Sequence, residues 1–173
     1  MRTSTKMFVA GTLLMFVIAG QVHAQQQTRR DSAAYVASLD AAAYRFEDST
    51  GNAHTLKEYA GKYVYLDIWA SWCYPCRKEY PFLKELMGKV DANTVKVLSV
   101  SIDRTKFRWI GALQGYQMTE GTQWVVTDTT FERAFDIDRI PRFILLDKQG
   151  KVLQYSMSRP SHAETLEYLN KLK

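Results

Sequence analysis

The run Tyr63-Val64-Tyr65-Leu66-Asp67-Ile68-Trp69-Ala70-Ser71-Trp72-Cys73-Tyr74-Pro75-Cys76-Arg77-Lys78-Glu79 changes character at its middle. Its first seven residues, Asp67 apart, are apolar or aromatic, the composition of a central strand. Beyond Trp72 the pattern is helical. Pro75 suits a first helical turn, which needs no donor there, and Tyr80, Leu83, Met87 and Val90 continue at helical spacing through Pro81, which removes one backbone bond and predicts a kink. A buried strand feeding straight into a helix places Cys73 and Cys76 at the helix start.

These two are the only cysteines in the chain. Residues three apart share one helix face, close enough to form a disulfide without moving the backbone. The ring so closed spans four residues, too short to restrain the unfolded chain much, so the pair points to reversible chemistry rather than stabilisation. At a helix start the unpaired N–H groups and the positive dipole end favour a thiolate at Cys73 and lower its pKa below that of free cysteine. That thiolate would attack a partner disulfide and Cys76 would resolve the mixed intermediate. Two rivals use the same residues. Structural zinc needs four ligands, and only His54 and His162 lie beyond residue 24 to complete the set. A non-enzymatic copper carrier or chaperone module needs only the two thiolates.

Outward from the cysteines, Thr94–Ile102 reads as a second buried strand and Asp103 as the cap of a helix through Phe107, Ile110 and Leu113. Strand, helix, strand, helix is the rhythm of a parallel sheet with crossovers. Trp124–Thr127 is a short strand, Thr129–Phe135 one or two helical turns, and Arg142–Leu146 with Lys151–Tyr155 an antiparallel hairpin around Asp147-Lys148-Gln149-Gly150. Ser161-His162-Ala163-Glu164 has the form of a capping box opening a last helix through Leu166, Leu169 and Leu172. Toward the N-terminus, Asp48-Ser49-Thr50-Gly51-Asn52 between two short runs predicts a hairpin extension. The expected fold is α/β: a mixed central sheet with helices on both faces and an added N-terminal β-hairpin.

The chain has 173 residues, 46% of them hydrophobic and 24% charged, which excludes disordered and fibrous classes. Residues 1–24 have a short basic start, a 14-residue apolar run from Met7 to Gly20, and Val22 and Ala24 at a cleavage-like site, the pattern of a secretory signal peptide rather than a membrane anchor. Residues 25–43 read as a linker with a short helix capped by Ser32, and 44–173 as one domain. Without the leader the net charge is +3, and the small basic groups are solvated faces, so nucleic acid is not an expected partner.

The segment Leu66-Asp67-Ile68-Trp69-Ala70-Ser71-Trp72-Cys73-Tyr74-Pro75-Cys76, with Glu79, Pro81 and Ile140-Pro141, resembles the thioredoxin superfamily, and within it the extracytoplasmic thiol-disulfide oxidoreductases of the TlpA and ResA type. The likeness extends over about residues 44–173. It implies the thioredoxin fold, an exposed nucleophile at Cys73, resolution by Cys76, a cis Pro141 facing the pair, and no cofactor or metal beyond the redox-active disulfide. It also implies a monomer that reduces disulfides in exported client proteins, apocytochrome c among them, fed by a membrane thiol carrier as electron donor. A thiol oxidase or isomerase is the alternative direction. The peroxidase setting Pro-x-x-x-Thr-x-x-Cys is absent from the sequence.

Two carboxylates sit at positions where the family handles a proton. Asp67 lies in an otherwise apolar strand, where burial raises a carboxyl pKa and would let it take the proton from Cys76; the bland reading is a hydrated strand-end aspartate. Glu79 is either a second such acid or a surface helix residue beside Lys78. Ile140 would offer backbone groups to an extended client chain, a strand-addition mode, with Trp72, Tyr74, Pro75 and Pro141 around it. Trp69 and Trp72 are expected to pack against the site. Arg142 stands where Thr is usual after the proline, and Tyr74-Pro75 where Gly-Pro is frequent.

Overall fold

A computed structural model describes residues 38–173 without a break, and residues 21, 34 and 35 before them. The signal-peptide reading and the Ser32 cap lie outside the described residues. Among the described residues no helix is long and apolar enough to cross a membrane.

Strand β3 (Tyr63–Trp69) is an interior strand with both edges paired, as its composition requires. It pairs in parallel with β4 (Val95–Ser101) and antiparallel with β6 (Arg142–Leu146). Parallel β5 (Thr122–Val126) continues the sheet beyond β4, and antiparallel β7 (Val152–Gln154) lies outside β6. The predicted hairpin is β1 (Arg45–Glu47) and β2 (Ala53–Thr55), laid antiparallel on β5 to give the order β2-β1-β5-β4-β3-β6-β7. Its turn is fastened by Asp48, which accepts from the backbone N–H groups of Thr50 and Asn52 at 2.8 and 2.9 Å, while Gly51 takes a φ of +100°.

The two-residue period of the strands sorts side chains between two cores. Val64, Leu66 and Ile68 face one way, onto Phe46, Leu56, Phe131 and Phe135 of the hairpin side and of helix α3 (Phe131–Ala134). Tyr65, Asp67 and Trp69 face the other, beneath helices α1 (Tyr74–Lys89), α2 (Lys106–Gly115) and α4 (Ala163–Leu169). On that side α1 buries Tyr80, Leu83 and Leu86, each contributing about 1.5–3 kcal/mol. This is the mixed sheet with helices on both faces that the sequence predicts. Leu39 and the fully buried Ala41 already pack against the hairpin-side core, ahead of residue 44.

Helix α1 runs on past Pro81, which lies inside it. Other local expectations fail in instructive ways. The N-cap of α2 is Thr105, not Asp103, whose carboxylate is drawn into the core by partners described below. Phe107 is 86% exposed, because α2 turns Trp109, Ala112 and Leu113 inward instead. Ser161 and Glu164 form no capping box: α4 starts after His162, Ser161 bonds to Glu79, and Glu164 accepts from the Ser158 hydroxyl at 2.9 Å.

Candidate functional site

The end of β3 delivers the chain into a short turn, Ala70 to Trp72, from which α1 departs. Cys73 is the N-cap of α1, with an extended backbone (φ −83°, ψ 95°) that prepares the helix without joining it. Its Sγ accepts the backbone N–H of Cys76 at 3.2 Å, so the sulfur sits among the unpaired donors at the positive helix end. Cys73 and Cys76 are joined in a disulfide with Cα atoms 5.3 Å apart. Among the described residues no group of three or more His, Cys, Asp or Glu side chains is arranged to hold a metal ion.

The turn is pinned from both sides. Asp103, two residues past the end of β4, accepts from the Ser71 backbone N–H at 2.8 Å, the Ser71 hydroxyl at 2.7 Å and the Ser101 hydroxyl at 2.8 Å. Arg77 donates to the Ser71 carbonyl at 2.8 Å from the first turn of α1. Ile102 donates its N–H to the Trp69 carbonyl at 2.9 Å, extending the β3–β4 ladder to the base of the turn. Asp103 is buried at 5% exposure, and three donors satisfy its carboxylate there. Sequence reasoning assigned Asp103 to a helix cap. The signal it missed is Ser71, 32 residues away, whose partner no local pattern reveals.

Asp67 is on the cysteine side of the sheet, between Ser99 of β4 and Phe143 of β6, and is buried. The Ser99 hydroxyl donates to Asp67 Oδ2 at 3.0 Å. Burial pushes the Asp67 carboxyl up to about 7; the Ser99 bond opposes this and the charge of Glu79 adds to it. A buried, proton-holding carboxyl rather than a hydrated strand end is therefore what occupies this position.

Glu79 is also buried, not a surface helix residue. It accepts from Arg159 Nη1 at 3.3 Å, the Ser161 N–H at 3.1 Å and the Ser161 hydroxyl at 3.1 Å, tying α1 to the chain ahead of α4. Tyr65 packs in the same layer, stacked on Phe143 with centroids 5.6 Å apart, and its hydroxyl donates to the Ser158 carbonyl at 2.8 Å.

Other expected residues divide. The Ile140–Pro141 peptide is cis and leads into β6, with Ile140 packed against the core that contains both cysteines. Pro75 occupies the first turn of α1. Trp69 is fully buried, whereas Trp72, on the turn, is 63% exposed and Tyr74 58% exposed. Cys73 is not exposed as the resemblance implied. In the disulfide both cysteines are 4% exposed, packed in one cluster with Tyr65, Trp69 and Tyr80. Arg142 is clamped by Asp138, which accepts from Nη2 at 2.6 Å, and lies over the Tyr155 ring at 4.6 Å.

Comparison with known proteins agrees with this arrangement. The thiol-disulfide oxidoreductase ResA of Bacillus thuringiensis is 30% identical over 127 residues, covering 72% of each chain. The solution structure of a candidate thiol-disulfide oxidoreductase from Bacteroides vulgatus is 41% identical with a TM-score of 0.67, over 74% of this chain and 84% of that one. A crystal structure of such a candidate from the same organism gives a TM-score of 0.70 at 33% identity, over 75% and 92%. A match to the Redoxin family spans residues 31–170, and with the helix-start disulfide on a mixed sheet it makes this chain a thioredoxin-fold member of that family.

Proposed function

We propose that the chain is an extracytoplasmic thiol-disulfide oxidoreductase that reduces disulfides in exported proteins, with Cys73 attacking and Cys76 resolving. The observation that carries the reading is the position of Cys73 Sγ as acceptor of the first-turn N–H of Cys76, at the positive end of a 16-residue helix. In the reduced protein the Cys73 thiolate attacks one sulfur of a client disulfide. A bond forms between the two sulfurs, and the other client sulfur leaves as a thiolate that takes a proton from water. Cys76 then gives its proton to Asp67 and attacks Cys73 Sγ, which restores the Cys73–Cys76 bond and releases the second client sulfur to take that proton. Two electrons pass from the pair to the client, and a membrane dithiol carrier returns them. Apocytochrome c is one client of suitable chemistry.

Asp67 is assigned the proton because its carboxyl changes charge near neutral pH and, among the described residues, accepts a hydrogen bond from Ser99 alone. Glu79, already accepting three hydrogen bonds, is a positioning residue whose charge tunes Asp67. Trp72 and Tyr74 offer exposed contact area beside the disulfide, and Pro75, Ile140 and Pro141 shape the approach for a client backbone.

The test is a trap. Cys76→Ser expressed with the full leader should accumulate mixed disulfides with exported proteins that thiol reductant releases, and Cys73→Ser should not. Equal capture by both variants, or capture by Cys73→Ser alone, would reverse the assignment of roles. No adduct with either would remove the exchange reading.

A further inference from the structure

Resting on that reading, we propose that the surface around the disulfide docks client segments rich in acidic residues, with Arg77 and Lys78 as the groups that read them. Carboxylates near the site are turned inward or paired. Asp67 and Asp103 are buried on serine donors, Glu79 is held by Arg159 and Ser161, and Glu120 by Lys84. The two cations that follow Cys76 have rings in place of carboxylates. Arg77 lies 4.4 Å from the centroid of Tyr116 and 5.6 Å from that of Tyr74, and Lys78 Nζ lies 4.8 Å from that of Tyr74. Among the described residues neither has a carboxylate within ion-pair distance.

The rings are themselves open to solvent: Trp72, Tyr74 and Tyr116 are 63%, 58% and 50% exposed. A guanidinium stacked on aromatic faces keeps its hydrogen-bonding edge for a planar anion, and Arg77 gives only Nη1 to the Ser71 carbonyl. Stacking also holds both long side chains before a partner arrives, so less rotamer freedom is lost on docking. Aromatic area with uncompensated positive charge, contiguous with the reacting sulfurs, is complementary to an extended peptide carrying Asp or Glu beside its cysteines.

The experiment uses three synthetic peptides with one disulfide ring, flanked on both sides by Asp, Ser or Lys. Their rates of reduction by the reduced protein are measured in about 20 mM and about 500 mM salt, conditions that separate long-range from screened charge. The acidic peptide should react about tenfold faster than the basic one at low salt and within about twofold at high salt. Lys78→Glu should cut the acidic-to-basic ratio about fivefold or more, and because the readout is a ratio within one variant, general loss of activity cancels. Equal rates for all three peptides at low salt overturn the docking proposal and leave the exchange reading standing. If even the Ser-flanked peptide is not reduced, the exchange reading fails instead, and docking is judged by binding alone. For that arm, a cysteine-free acidic peptide is titrated against the oxidised protein while fluorescence quenching of Trp72 by acrylamide is followed. Saturable protection by the acidic but not the basic peptide supports the proposal, and protection by neither overturns it.

Discussion

Replacing Asp67 by Asn should change stability in a way that depends on pH, with a sign fixed by the burial of the carboxyl. In the folded protein this group holds its proton up to about pH 7, against an ordinary 3.8. Between those values the folded state binds a proton that the unfolded state has released, so wild-type stability falls as pH rises. The contribution is fully present below about pH 4 and is lost once pH passes through about 7. At roughly 1.4 kcal/mol per pH unit the loss approaches about 4 kcal/mol, a ceiling that relaxation around the buried charge would lower. The substituted amide has no charge to bury. The assay is urea denaturation of oxidised wild type and Asp67→Asn at pH 5 and pH 9, with the disulfide intact so that no thiol titrates. Only the two units from pH 5 to about 7 fall inside this window, so the variant should gain up to about 2.7 kcal/mol relative to wild type between the two pH values. His54 also titrates with a raised pKa, because Glu58 and Asp48 outweigh its burial, but it is common to both proteins and cancels in the difference. A gap between variant and wild type that stays the same at both pH values would refute the argument.

The remaining predictions concern the supports of the site. Glu79→Gln removes a charge that raises Asp67, so the Asp67 midpoint, followed by carboxyl carbon NMR, should fall below about 7, and the pH profile of client reduction should move the same way; an unmoved midpoint would separate the two acids. Asp103→Ala strands the Ser71 N–H and two hydroxyls, which should cost about 1–3 kcal/mol and speed amide exchange at Ser71, with Asp103→Asn recovering part of the protection; unchanged exchange at Ser71 would count against Asp103 as the anchor of the turn. Gly121 has a φ of +76° and an added Cβ would lie 2.5 Å from Met87 Sδ, so Gly121→Ala should lower stability by about 1–2 kcal/mol in denaturant titrations. Gly88, inside α1 with open space around it, should show the opposite sign, about 0.5–1 kcal/mol of gain on change to Ala.

What the sequence made legible is what local pattern encodes. The bounds of β3, the hairpin turn at Asp48–Asn52 and the helix start at the cysteines follow from composition, turn chemistry and a proline placed where no donor is needed. Illegible were the partners that sequence distance hides. Asp103 reads as a cap because an Asp ahead of a helical run satisfies that pattern, yet Ser71 and Ser101 compete for its carboxylate once β3 and β4 are aligned. Ser161 was drawn from its capping box by Glu79, 82 residues earlier in the chain. Exposure around the disulfide was equally hidden. It depends on how far the turn carries Trp72 beyond the sheet and how closely Tyr65, Trp69 and Tyr80 enclose the sulfurs.

The hairpin laid on β5 has a consequence for the rims of the sheet. Without it, β5 would present a five-residue rim of open backbone to every chain the enzyme meets. With it, the outermost strands are β2 and β7, three residues each, the second meeting an irregular register on β6 and touched beyond its end by the bridge between Asp40 and Lys151. Rims so short are poor templates for recruiting foreign β-structure. The sheet thus meets other chains with little open backbone to offer them.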